Sequence, residues 1–231
     1  MDKGINNNGY DYVDLGLPSG TLWATCNVGA SNASDAGLYF QWGDTQGYAK
    51  DQVGKDKQFT WKSYKWNPNG DGKTFTKYTT TGATLELVDD AVHIHMGGDW
   101  HMPSPKQIKE LLDNTNSEWT TLDGVTGIKF MSKNGKFIFI PSEGSAYGGS
   151  VDYCNIIGSI WSSTLSSIHS FCYGQRLYFD SVGAYSISTA PRYGGVSVRG
   201  VIDNNNLKKN KLCRLIQKLT HFTSVFKVLE K

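Results

Sequence analysis

No lysine occurs between Phe137 and Leu207, although the 231-residue chain has 19 in all. No apolar run approaches the roughly 20 residues of a membrane helix, so no helical span is expected. The N-terminal stretch MDKGINNNGYDY has no apolar segment of signal-peptide type, which inclines the expected location to a virion surface over a cell surface. None of the four cysteines (Cys26, Cys154, Cys172, Cys213) lies in a CxxC pair. That argues against zinc and leaves free thiols as the expectation. There is no GxSxG elbow, P-loop, HExxH or helix-opening GxGxxG, so the usual anchors of hydrolase, nucleotide and metallopeptidase chemistry are missing. The chain therefore reads as non-enzymatic, with no cofactor and no metal.

What is present is a glycine- and aromatic-rich composition: 39% hydrophobic, 13% aromatic, 19% charged, with 26 glycines. That is enough apolar material for a sizeable core. The net charge of +2 hides an asymmetry. Residues 207–231 carry seven Lys/Arg and one Glu, leaving 16 basic against 20 acidic residues in 1–206. The basic tail lacks a base-stacking aromatic pattern, so a solvated face is favoured over nucleic-acid binding. His93, His95 and His101 form the one histidine cluster, and without a converging third donor type they read as structural. Asn67–Gly72 has oxygen side chains at alternate positions like a calcium loop, but no acidic residue closes it, and a turn-rich loop is the simpler reading.

The element order is strands and loops, one helix, then a run of strands. LWATCNV (Leu22–Val28) alternates apolar and polar, LYFQW (Leu38–Trp42) is an aromatic strand candidate, and residues 44–82 read as long loops. In PSPKQIKELLDN, Ser104 is the expected N-cap, Pro105 suits the first helical position and Gln107 completes a capping box. Ile108, Leu111 and Leu112 form its apolar stripe. Asn134-Gly135 between two apolar runs predicts a hairpin. This order implies an α+β fold with an antiparallel sheet. In the tail, Leu212, Leu215, Leu219, Phe222, Phe226 and Leu229 follow a heptad-like spacing. They predict a basic amphipathic helix over 204–231, packed either on its own domain or on a second copy as a homo-oligomer.

Several separate stretches fall in one order: YVDLGLPSGTLWATCNVGAS (Tyr12–Ser31), LYFQWGDT (Leu38–Thr45), DDAVHIHMGGDWHMPSPKQIKELLD (Asp89–Asp113), IWSSTL (Ile160–Leu165), LYFDS (Leu177–Ser181) and GGVSVRGV (Gly194–Val201). Together they resemble the major-paralogous-domain (FISUMP) family of gut Bacteroidales, over roughly Tyr12 to Ile202. The resemblance implies a C-type-lectin-like domain at 12–203, with few helices and long loops, after a flexible N-terminus at 1–11. It also implies kinship with the formylglycine-generating enzyme, whose tryptophan-x-x-proline helix entry is matched by WHMP. The catalytic cysteine pair of that enzyme has no counterpart here, so its oxidase activity is not carried over. The EPN, QPD and WND triplets of calcium-dependent sugar-binding lectins are absent too, which argues against that mode of binding.

Within Gly144–Asp203 the residues Lys, Glu, Gln, Met and Trp together occur twice in 60 positions, as Trp161 and Gln175, against 40 times in the other 171. No codon ending in a pyrimidine encodes these five types. Selection for neutral strands would remove lysine and glutamate, but has no reason to remove methionine and spare arginine. Diversity-generating retroelements leave this mark, because they copy a template with adenine errors and turn AAY codons into any NNY codon. The segment resembles the variable region of such a target, which is typically the C-terminal part of a C-type-lectin-like domain.

A diversified surface must tolerate many side chains, so its positions are expected to face solvent on a rigid scaffold. Trp161, Leu177, Phe179, Val196 and Val198 read as scaffold. The expected ligand contacts are Tyr147, Tyr153, His169, Phe171, Tyr173, Arg176, Tyr178, Tyr185, Ile187, Thr189, Arg192 and Tyr193, dominated by tyrosine and arginine. The piece AYSISTAPRY (Ala184–Tyr193) is expected on the exposed binding face. The function implied is recognition of a protein or glycan receptor on another cell. The alternatives are an unvarying cell-surface or structural module of the same family and, further off, an oxidase.

Overall fold

The computed structural model describes residues 8–54, 58–183 and 185–204. The chain opens with β1 (Tyr12–Val13), β2 (Thr21–Asn27), β3 (Tyr39–Phe40) and β4 (Gly47–Tyr48). A long irregular stretch with three single 3₁₀ turns leads to α1 (Ala91–Met96) and α2 (Pro105–Asn114). Then come β5 (Thr115–Leu122), β6 (Val125–Ser132), β7 (Phe137–Pro141), β8 (Glu143–Tyr147) and β9 (Ser150–Cys154). The described residues continue through β10 (Ile157–Leu165), β11 (Tyr173–Asp180), β12 (Tyr185–Pro191), β13 (Val196–Ser197) and β14 (Arg199–Asp203). With strands dominating and two α-helices among the described residues, the fold is a sheet-rich α+β architecture. No described helix is long and apolar enough to cross a membrane. The expected flexible segment 1–11 is described only from Asn8 onward. The predicted tail helix lies outside the described residues from position 205.

The largest sheet has the order β12-β11-β10-β13-β3-β4. Its pairings are antiparallel except for β10 with β13, which meet in parallel at Ile160↔Ser197. A second sheet joins the two ends of the domain, with β2 between β1 and β14. The alternation of β10 feeds two cores at once. Trp161 enters a cluster with Trp42, Trp100 and Val198, whereas Ile160 enters one with Trp23, Ile108, Leu111, Leu177 and Phe179. The two central indoles are satisfied: Trp161 Nε1 donates to the Phe40 carbonyl at 2.8 Å and Trp42 Nε1 to the Ser162 carbonyl at 2.9 Å. Gly158 is required where β10 passes β11, because a Cβ there would overlap the Phe179 ring.

The sheet of the chain ends is closed by a buried cation. Arg199 is fully buried and donates to Asn27 Oδ1 (2.9 Å) and to the carbonyls of Ala24 (3.0 Å), Thr25 (2.8 Å) and Phe139 (3.0 Å). It thereby ties β14 to β2 and β7. Burial pushes its pKa down, but arginine remains cationic at neutral pH.

The signposted local structure forms. Ser104 Oγ accepts from the Gln107 N–H at 3.3 Å, and Gln107 Oε1 accepts from the Ser104 N–H at 2.9 Å. Ile108 and Leu111 are buried, and Leu112 packs half-buried against the same cluster. Asn134-Gly135 turns the β6–β7 hairpin, with Gly135 at φ +80°. A second hairpin, β5–β6, turns on Asp123-Gly124, both at positive φ. Ser104→Ala is expected to lower stability by about 1 kcal/mol, measured as a shift in the urea midpoint at unchanged slope. An unshifted midpoint would contradict the cap.

Candidate ligand-binding face

The register of β10, β11 and β12 sorts the segment's side chains onto two faces, because directly opposed residues share a face. Leu177 faces Ile160 and Ile187, and Phe179 faces Gly158 and Tyr185. These sit on the side of α2, where Leu177 and Phe179 join the core with Ile108 and Ile187 packs half-buried against it. Arg176 faces Trp161 and Ser188, and Tyr178 faces Ser159 and Ser186. These sit on the opposite side.

On that opposite side the chain brings together residues far apart in sequence. Tyr147, at the end of β8, stands 6.0 Å from Tyr193, ring centre to ring centre. Tyr193 stands 4.6 Å from Trp61, Trp61 stands 5.5 Å from Phe75, and Phe75 stands 5.5 Å from Phe171. All five rings are half-buried and meet edge to face, the arrangement their quadrupoles favour. Arg176 lies at one end of this strip. Its Nη1 donates to Ser159 Oγ at 3.1 Å, its guanidinium carbon lies 5.2 Å from the Tyr178 ring centre, and its charge acts on the Tyr147 hydroxyl. Its Nε has no acceptor among the described residues. Burial raises the Tyr147 pKa, and the Arg176 cation opposes this in part. The result is a semi-rigid aromatic strip ended by one guanidinium, beside the short side chains of Ser186 and Ser188.

The expected contacts therefore divide into four groups. Tyr147, Phe171, Arg176, Tyr178 and Tyr193 gather on or beside the strip. Tyr185, Ile187 and Thr189 point to the α2 side of the sheet. Tyr153 (61% exposed) lies on β9, away from the strip's ring contacts, and His169 and Tyr173 pair their rings at 6.3 Å around the 166–172 loop. Ile187 is partly core, which corrects its reading as a free contact.

Arg192 forms the fourth group alone and is the clear correction. It is fully buried, not exposed. Its Nε donates to Tyr64 Oη (2.8 Å), its Nη1 to the carbonyls of Tyr78 (3.1 Å) and Phe171 (3.3 Å), and its Nη2 to the carbonyl of Lys77 (3.2 Å). The guanidinium carbon lies 4.6, 5.1 and 5.2 Å from the ring centres of Phe75, Tyr64 and Trp42. The physical reason is plain. The irregular loop 61–78 leaves carbonyls inside the domain that need donors, and only an arginine spans enough of them.

Trp61 and Phe75 were not anticipated as site residues. Their loop reads as polar and turn-rich. The usable signal was its density of rings, with Trp61, Tyr64, Trp66, Phe75 and Tyr78 in 18 residues. The Asn67–Gly72 turn is satisfied internally. The Asp71 carboxylate accepts from the Lys73 and Thr74 N–H groups, from Asn67 Nδ2 and from the Thr74 hydroxyl, and these bonds hold its pKa well below the usual carboxylate range. The histidines bond backbone carbonyls: His93 to Trp100, His95 to Thr45 and His101 to Met102. Among the described residues no three His, Cys, Asp or Glu converge as metal ligands, and Cys26, Cys154 and Cys172 are free thiols. Comparison with family models, curated proteins and solved structures gave no match to this chain.

The burial contrast fixes an expected order of stabilities. Arg192→Ala orphans several carbonyls at about 1–3 kcal/mol each and opens a cavity, so a total loss above about 3 kcal/mol is expected in guanidinium unfolding. Tyr185→Ala, at 43% exposure, should stay within about 0.5 kcal/mol of wild type. Equal losses for the two would refute the assignment of Arg192 to the scaffold.

Proposed function

We propose that this is a ligand-binding protein of C-type-lectin-like architecture, displayed on a virion or cell surface, whose segment 144–203 is diversified by a retroelement. The observation that carries the reading is a coincidence of two independent features. The segment depleted of Lys, Glu, Gln, Met and Trp supplies Tyr147, Phe171, Arg176, Tyr178 and Tyr193 to one semi-exposed face. Composition alone has no reason to select residues that converge in space. Tyrosines and an arginine in half-buried positions give large contact area with few rotamers to freeze, as in recognition surfaces. The contribution of Trp61 and Phe75 from outside the segment adds a constant floor to a variable wall. The pairing of β2 with β14 closes the domain end to end, consistent with the architecture implied by the family resemblance. The half-buried rings and the guanidinium offer contact chemistry, toward a protein or glycan receptor.

Two measurements test this. The DNA beside the gene is expected to hold a reverse transcriptase and a near-copy of the 144–203 coding segment, with mismatches at template adenines only. They should fall on surface codons such as those of Tyr185, Ser186 and Tyr193, and not on those of Trp161, Leu177 or Arg192. Absence of the repeat would favour an unvarying module of the same family. For a receptor ligand, Tyr193→Ala or Tyr147→Ala is expected to weaken binding by about 1–3 kcal/mol with the thermal midpoint little changed. Unchanged affinity would displace the strip as the binding face.

A further inference from the structure

β12 is the outer strand of the six-stranded sheet. Natural sheets guard such edges with lysine, proline, a bulge or a covering segment. Tyr185–Ala190 contains no charged residue and no proline, and its register with β11 runs from Phe179↔Tyr185 to Tyr173↔Pro191 without a bulge. Beyond that last pair, the Arg192 N–H donates to the Cys172 carbonyl at 3.0 Å. Arg192 and Cys172 continue the same register, so this bond sets the phase of the ladder, in which facing and outward backbone groups alternate. Ser186, Ser188 and Ala190 turn their N–H and C=O groups toward β11. Tyr185, Ile187 and Thr189 turn theirs to the open side, where no described residue bonds them. Pro191 has no N–H and ends the row.

A second feature lies beside this edge. A cavity of about 310 Å³ separates the 166–169 turn from β12, lined among others by Ile168, His169, Gln175, Ile187, Ser188 and Thr189. No carboxylate, ammonium or guanidinium group lines it, and Ile168 is 89% exposed at its rim.

We propose that β12 accepts an extended, uncharged segment of a partner protein as an added strand, with one of its side chains seated in this cavity. The proposal rests on the binding-face reading and names its ligand class. Alternating donors and acceptors at strand spacing match another strand and no glycan, and a charged segment would find no countercharge along β12 or in the cavity. Main-chain bonds supply the affinity and the pocket the selectivity. Such bonds survive replacement of the β12 side chains, which suits a strand whose residues are exchanged.

The first test is amide exchange in the full ¹⁵N-labelled chain. The Ile187 and Thr189 amides are expected to exchange at least about tenfold faster than those of Ser186, Ser188 and Ala190. Slow exchange at Ile187 and Thr189 in the free protein would mean that residues 205–231 or a second copy already cover the edge, and would overturn the proposal. The second test uses peptides of about nine residues, selected from a displayed random library against the full chain. Bound peptide should slow exchange at Ile187 and Thr189. N-methylation at alternate peptide positions should cost about tenfold or more in affinity, with the intervening positions nearly silent. Thr189→Pro, which removes one outward N–H, should weaken binding likewise, and Thr189→Lys serves where the proline variant fails to fold. Failure to recover any peptide overturns the proposal. Peptides that bind without this alternation, yet lose affinity on Tyr193→Ala, overturn strand addition and leave the binding face standing. Peptides insensitive to both overturn both.

Discussion

The guanidinium of Arg192 is the constraint on which the candidate face depends. It sits in the domain interior with no carboxylate among its described partners and is held by three carbonyls, one hydroxyl and the faces of three rings. A lone buried charge is costly. Here the cost is offset because the same group satisfies carbonyls that would otherwise be orphaned inside an irregular loop. The loop 61–78 gains its position from this contact, with help from Trp66 Nε1 on the Gly43 carbonyl (3.3 Å) and Cys172 Sγ on the Gly72 carbonyl (3.3 Å). Arg192 shares this role with the buried Asp89 carboxylate, which holds the same loop through Lys77 Nζ (2.6 Å), Lys65 Nζ (3.3 Å) and the Tyr78 hydroxyl (2.7 Å). The strip of rings is thus a consequence of polar contacts beneath it.

That arrangement marks the boundary of what was legible in the sequence. Elements specified by short-range chemistry could be read directly: the Ser104–Gln107 cap, the Asn134-Gly135 turn, the stripe of α2 and the scaffold positions Trp161, Leu177, Phe179, Val196 and Val198, which are all buried. β5 was not legible, because its pattern TNSEWTTL is mostly polar; it is held by pairing with β6 and by Trp119, which packs on the core beside Phe179. Arg192 was misread because it lies in a run of small and hydroxyl-bearing residues that looks solvated. Whether an arginine points out or in depends on carbonyls contributed more than a hundred residues away, and no local pattern carries that information. The face was half legible: the segment that supplies it stood out by composition, while its floor and its division between two sides of a sheet came only with the register.

The same register separates tolerance from fragility within one segment. A residue composition compatible with pyrimidine-ending codons runs through the buried Leu177, Phe179, Val196 and Arg192 as well as through the exposed Tyr185 and Ser186. The codon pattern therefore bounds the region in which exchange is chemically open, and burial selects the positions within it. At a buried position most members of the NNY set leave a cavity or an unpaired polar group, each costing kilocalories against a total stability of only about 5–15 kcal/mol. At the exposed Tyr185 or Ser186 the same exchanges change contact chemistry and little else. A diversified face on this fold must therefore be a mosaic, with exchangeable positions set among fixed ones along β11 and β12.

Interleaving at strand period has a further consequence for how such a face binds. Alternate residues of β11 are committed to the α2-side core, so its open face offers Arg176 and Tyr178, flanked on β12 by Ser186 and Ser188. A handful of variable side chains is a small contact area, below what a stable protein interface buries. The remaining area must come from elements that do not vary. On this molecule two such elements border the positions that the proposed diversification would exchange: the ring floor of Trp61 and Phe75, held by Arg192, and the uncharged backbone edge of β12, fixed by its register with β11. Both keep their shape whatever the exchanged side chains are. Affinity would then come chiefly from the constant parts and discrimination from the varied ones, a division of labour that lets nearly every variant bind something before any variant binds well.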